Sequence, residues 1–156
     1  MALQIGDPAP PVSLYTSDKQ PWSLADQSGA TLLLFFPGAF TSVCTTELND
    51  VTNDLARYSD AGVNVVGIST DSPFALDEFK KVNAIGFPLL SDHDAEAAAA
   101  YGAKYDNDFT PMKLGRIARR AAFLVDAGGT VRYAEVLENA GQQPDFAAIQ
   151  AAVAAL

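Results

Sequence analysis

The chain of 156 residues is poor in several things: it has one cysteine, one histidine, one tryptophan, and ten basic residues against nineteen acidic ones. A single cysteine excludes an internal disulfide and fits a reducing compartment. A single histidine, flanked by Asp92 and Asp94 at a predicted helix start, reads as a solvated surface residue rather than a base, and no cluster has metal-ligand spacing. The net charge of −9 repels phosphate backbones and anionic lipid, so neither nucleic acid nor a membrane surface is expected as a partner. The acidity itself is read as serving solubility. No apolar run approaches membrane-spanning length and no basic-then-apolar leader opens the sequence, so the expectation is a soluble, cytoplasmic protein.

What is present is enough apolar material for a core. Nearly half the residues, 49%, are hydrophobic and 19% are charged, which describes a globular chain, and the length fits one domain over residues 1–156.

The opening Gly6-Asp7-Pro8-Ala9-Pro10-Pro11 is extended, and Val12, Leu14 and Trp22 beyond it predict a short N-terminal hairpin at the fold's edge. Thr31 to Phe36 is an unbroken apolar run between Gly29 and Pro37, the pattern of a central strand buried on both faces. Leu48, Val51, Leu55 and Tyr58 recur at helical spacing and predict one helix ending near Gly62, with Cys44 in its first turn on the face toward the sheet. Val63 to Ile68 is a second strand, parallel to the first through a right-handed crossover. Asp71-Ser72-Pro73 opens a helix with Leu76, Phe79 and Val82 inward. A short strand over Phe87 to Leu90 and an alanine-rich helix over Asp94 to Tyr101 follow.

Lys104 to Arg119 lacks a clean period and contains Asp106, Asn107, Pro111 and Gly115, so it reads as an ordered surface loop. Ala121 to Val125, a glycine turn, and Val131 to Val136 predict a hairpin. A terminal helix begins at Pro144, with Phe146, Ile149, Val153 and Leu156 inward. The result is an α/β chain with a central mixed sheet flanked by helices on both faces, a thioredoxin-like arrangement.

Cys44 is delivered to the carboxyl edge of the Thr31–Phe36 strand, where reactive groups collect in α/β sheets. First-turn amides of a helix are unpaired and its dipole is positive there, a recurrent setting for reactive thiolates. An inert buried cysteine is the competing reading, and helix position alone leaves the two about even.

The surrounding residues tip the balance. Pro37-Gly38-Ala39-Phe40-Thr41-Ser42-Val43-Cys44 resembles the peroxiredoxin motif of a proline, a threonine four residues on and a cysteine three beyond. Gly6-Asp7-Pro8-Ala9-Pro10, Gly67-Ile68-Ser69-Thr70-Asp71-Ser72-Pro73, Phe87-Pro88-Leu89-Leu90-Ser91-Asp92 and Arg120-Ala121-Ala122-Phe123-Leu124-Val125-Asp126 extend the resemblance along nearly the whole chain in order. It implies a peroxiredoxin fold and a thiol-dependent peroxidase acting on hydrogen peroxide or an alkyl hydroperoxide. Cys44 would be the peroxidatic cysteine, forming a sulfenic acid. Thr41 would hydrogen-bond thiolate and peroxide, Pro37 would shield the sulfur, and Arg120 would stabilise thiolate and developing charge.

Topology supports Arg120 independently, because a strand antiparallel to Thr31–Phe36 begins at the cysteine's edge; Arg116 and Arg119 are its rivals. Glu47, one turn after Cys44, is either a carboxylate that orients the arginine or a simple first-turn partner of the helix dipole. Such chemistry needs no cofactor: no metal, flavin or nucleotide.

The pattern departs from typical members in having no resolving cysteine. An external thiol reductant is therefore implied: glutathione or another small thiol, or a thioredoxin- or glutaredoxin-like protein. The chain most resembles the small bacterial one-cysteine class, similar to alkyl hydroperoxide reductase E, which implies a homodimer with Phe40 and the Lys104–Arg119 segment as contributors. A peroxide sensor or relay, passing oxidation to a partner protein by mixed disulfide, is the alternative function, and a binding module with a dead site is the blandest one.

Overall fold

The computed structural model describes residues 3–106 and 112–156. An N-terminal hairpin of β1 (Ser13–Thr16) and β2 (Pro21–Ser23) precedes β3 (Ala30–Phe35), α1 (Ser42–Asn53), α2 (Leu55–Asp60) and β4 (Val63–Ser69). Then come α3 (Pro73–Asn83), β5 (Leu89–Ser91), α4 (Glu96–Ala100), β6 (Ala121–Val125), β7 (Val131–Val136) and α5 (Phe146–Ala154). The strands make one sheet in the order β2-β1-β5-β4-β3-β6-β7. Its centre is parallel, β3 with β4 and β4 with β5, and both flanks are antiparallel. No helix among the described residues is long and apolar enough to cross a membrane.

β3 is buried at all six positions, as its uninterrupted apolar sequence requires. Alternate residues feed two cores. Leu32, Leu34 and Phe36 pack with Cys44, Leu48, Val51, Tyr58, Leu76, Phe79 and Ile149 on the face covered by α1, α2, α3 and α5. Leu33 and Phe35 pack with Val12, Val66, Ile68, Tyr101 and Phe123 on the face of α4 and the N-terminal segment. Phe35, Tyr101 and Phe123 form an aromatic trio there, with ring centroids 5.1 to 5.9 Å apart. At the amino ends of β3 and β4 the backbones nearly touch: a Cβ on Gly29, which has φ +85°, would lie 2.7 Å from the Gly62 carbonyl oxygen.

Several element boundaries differ from the sequence expectation. The single helix expected to run to Gly62 is two, because the chain turns at Asp54, whose N–H is shared between the carbonyls of Asp50 and Val51. Aspartate is a poor interior helix residue, and the break re-aims α2 while leaving Tyr58 buried. Val82, expected inward, is 63% exposed; Asn83 comes closer to the face set by Leu76 and Phe79 and bonds back to the Phe79 carbonyl.

Leu156, expected on the inner face of α5, is 51% exposed because the helix ends at Ala154 and its period no longer applies. α5 starts at Phe146 rather than Pro144, with Asp145 accepting from the Ala148 N–H. α4 is shorter than the expected Asp94–Tyr101: Ala95 is left-handed, and the buried carboxylate of Asp92 takes the amides of Ala97 and Ala98. β5 starts at Leu89, since Pro88 has no amide to donate.

Candidate active site

β3 leaves the core through Phe36 and Pro37, both buried, and the chain turns through Gly38 to Phe40 into α1. Phe40 completes that turn with φ +66°, an uncommon conformation for a large side chain. Its ring is 55% exposed and lies edge-on to Phe79, with centroids 5.1 Å apart. A second tether comes from the loop after β4, where Asp71 Oδ2 accepts from the Ala39 N–H at 2.8 Å and from the Ser69 hydroxyl at 2.7 Å. Asp71 was legible in sequence only as part of a helix start, and Ser72 is the residue that caps α3.

Thr41 is the backbone N-cap of α1, and its side chain makes no capping hydrogen bond. Its exposed hydroxyl donates to the Gly38 carbonyl at 2.8 Å, so the structure pairs it with the loop and not with Cys44. The first-turn amides of α1 are thus left without a side-chain cap.

Cys44 is the third residue of α1 and is 1% exposed, in the same core cluster as Leu48 and Val51. The antiparallel register of β3 with β6 pairs Phe35 with Ala121, which sets Arg120 at the edge where the thiol lies. Arg120 Nη2 donates to Cys44 Sγ at 3.0 Å, and Nη1 donates to Glu47 Oε1 at 2.7 Å. The guanidinium is fixed from a third side by the Ala140 carbonyl, which accepts from Nη2 at 3.0 Å and Nε at 3.3 Å. That carbonyl lies in the loop between β7 and α5 and had no sequence signal, since any residue supplies one.

The cluster of Cys44, Glu47 and Arg120 is sealed, with the last two side chains 0% and 1% exposed. Burial pushes the Glu47 carboxyl up to about 7, more than the attraction and hydrogen bond of Arg120 pull it down. Burial also opposes the charge of Arg120, but Glu47 and Cys44 more than offset it and raise the guanidinium's proton affinity.

The rival arginines are elsewhere. Arg116 makes an exposed ion pair with Asp94 at 3.2 Å, and Arg119 stacks its guanidinium 5.3 Å from the Tyr105 ring centre. His93 is exposed. In the expected surface loop Lys104 pairs with Ala118, and Asn107 and Pro111 lie outside the described residues.

Residues 5–134 match the AhpC/TSA family. Peroxiredoxin Bcp of Escherichia coli is 34% identical over 132 residues, covering 84% of each chain. A Mycobacterium tuberculosis chain assigned to the peroxiredoxins by name is 37% identical over 134 residues, covering 85% of each. The crystal structure of peroxidoxin BcpB from Mycobacterium tuberculosis superposes with a TM-score of 0.85 at 27% identity, covering 99% of this chain and 98% of that one. A buried cysteine at a helix start, held by an arginine on a thioredoxin-like sheet, thus occurs in a chain that belongs to the AhpC/TSA family and is a peroxiredoxin, a thiol-dependent peroxidase.

Proposed function

We propose that this peroxiredoxin, a single domain over residues 1–156, reduces hydrogen peroxide and organic hydroperoxides at Cys44 by a one-cysteine mechanism. The observation that carries the proposal is the 3.0 Å contact from Arg120 Nη2 to Cys44 Sγ, with both side chains buried. A guanidinium there sets a positive charge against the sulfur, and that charge acts strongly because the surroundings are of low dielectric. The thiolate sulfur attacks the terminal peroxide oxygen, the S–O bond forms as the O–O bond breaks, and the departing hydroxide or alkoxide takes a proton to leave as water or alcohol. Arg120 stabilises the charge on the oxygens as it develops.

The remaining roles follow from position. The first-turn amides of α1 have no side-chain cap and suit an anionic oxygen, and the Thr41 hydroxyl would exchange Gly38 for a bound peroxide. Pro37, buried at the start of the turn, shields the sulfur. Glu47 orients Arg120 by the 2.7 Å contact. Cys44 is the only cysteine, so the sulfenic acid is resolved by an external thiol, either a small one or that of a thioredoxin- or glutaredoxin-like protein. The reading includes a cytoplasmic homodimer in which the exposed Phe40 contributes to the contact.

The test is stopped-flow mixing of reduced protein with hydrogen peroxide, followed by Trp22 fluorescence and by thiol loss. Wild type reacts far faster than a free thiol, and Cys44→Ser abolishes the reaction; a wild-type rate equal to that of a free thiol defeats the proposal. The lone cysteine also favours a relay reading. Steady turnover with a small thiol supports the peroxidase, and a single mixed disulfide with one protein and poor turnover supports the relay.

A further inference from the structure

Arg120 serves two acids at once, Cys44 at 3.0 Å and Glu47 at 2.7 Å, and neither is in contact with solvent. With thiol and carboxyl both ionised, the cluster would hold two negative charges against one positive charge. An unbalanced charge in a protein interior costs several kcal/mol, so one proton is held back. The second carboxyl oxygen, Glu47 Oε2, is buried and has no hydrogen-bond partner among the described residues. A bare carboxylate oxygen in that position is a costly orphan, whereas a carboxylic acid carries no net charge there.

Among the described residues the charged neighbours are few. Arg120, at the start of β6, is the charged group found to act on Glu47. Tyr105, from the segment before β6, feels Arg119, Arg120 and Cys44, and the loop before α5 contributes the Ala140 carbonyl.

We propose that Glu47 is the proton-holding counterpart of Cys44: a carboxylic acid while Cys44 is a thiolate, and the carboxylate partner of Arg120 once Cys44 is oxidised. This rests on Cys44 being the nucleophile. The step balances: Cys44 thiolate, Glu47 carboxylic acid and ROOH become Cys44 sulfenic acid, Glu47 carboxylate and ROH. Sulfur gives up two electrons, the O–O bond breaks, the S–O bond forms, and the leaving alkoxide takes up the proton that the carboxyl gives up. Glu47 acts through Arg120 and is a positioning residue for charge, keeping one anion beside the guanidinium before and after the reaction. The push of burial on its carboxyl, up to about 7, agrees in direction.

The experiment is infrared difference spectroscopy on the full chain labelled with carbon-13 glutamate, near neutral pH, before and after one equivalent of hydrogen peroxide. Thiol loss is measured in parallel. A buried carboxylic-acid carbonyl band is expected in the reduced wild type, absent from Glu47→Gln, and lost as Cys44 is oxidised. In Cys44→Ser, where Arg120 has one acid to serve, the band should titrate about one pH unit lower, a tenfold change in proton affinity. Thiol loss with the band missing from the start, or with the band surviving unchanged, overturns the proposal and leaves the peroxidase reading intact. Absence of rapid thiol loss in wild type instead overturns the peroxidase reading on which the proposal rests.

Discussion

Two arginine–carboxylate contacts of equal length lie at opposite ends of β6. Arg120 meets Glu47 at 2.7 Å just before the strand, and Arg132 meets Asp126 at 2.7 Å at the turn after it. The first pair is 1% and 0% exposed and the second 53% and 19%. Asp126 is held below the usual carboxylate range by the Thr130 backbone N–H and then by the Arg132 hydrogen bond. Glu47 goes the other way, because burial outweighs its arginine. Distance is therefore a poor guide to what an ion pair does. Surroundings decide whether the carboxylate is comfortable, as in the turn, or is enclosed with a sulfur on the same cation, as at Arg120.

That contrast breaks most visibly at Arg120. Arg120→Ala removes the donor from the sulfur and strands Glu47. The rate with peroxide should fall by about 10²–10³, the usual effect of losing one charge-stabilising donor. Stability should fall by about 3–5 kcal/mol, as for a broken buried pair. Urea unfolding and stopped-flow kinetics read the two effects, and a variant with a wild-type rate would remove Arg120 from the mechanism.

Glu47→Gln gives a smaller effect with a defined sign. The carboxyl's folded value, about 7, is above its ordinary 4.5, so between those values the native state binds the extra proton. The stability this contributes is complete below about 4.5 and is lost as pH rises through about 7. Relative to wild type, Glu47→Gln should therefore gain stability from acid to mildly alkaline pH, by up to about 3 kcal/mol at ~1.4 kcal/mol per pH unit. A difference between variant and wild type that does not change with pH would show that burial does not set the carboxyl's ionisation.

The smallest effect belongs to the exposed pair. Arg132→Ala should cost under about 1 kcal/mol and less at high salt. Asp126 keeps its bonds from the amides of Gly128 and Thr130, and the peroxide rate should not change. A cost as large as that at Arg120 would erase the distinction between the two regions.

The route from sequence to site was legible where local pattern and global topology agree. The apolar run of β3, the helical spacing of Leu48 and Val51, and the hairpin of β6 and β7 were enough to bring Arg120 to the edge carrying Cys44. Patterns that depend on a neighbour failed. The break at Asp54 and the outward turn of Val82 reflect how α1 to α3 settle on the sheet, which periodicity does not encode. Asp71 holding Ala39 across 32 positions, and the Ala140 carbonyl on Arg120, are contacts between segments distant in sequence.

Sequence by itself determined which groups are carried: one cysteine at a helix start, an arginine just ahead of a strand, and a carboxyl one turn along from the cysteine. Tertiary structure alone decided what that carboxyl is. A glutamate has the same side chain in solvent or core, and only enclosure beside a guanidinium already shared with sulfur raises its proton affinity to about 7.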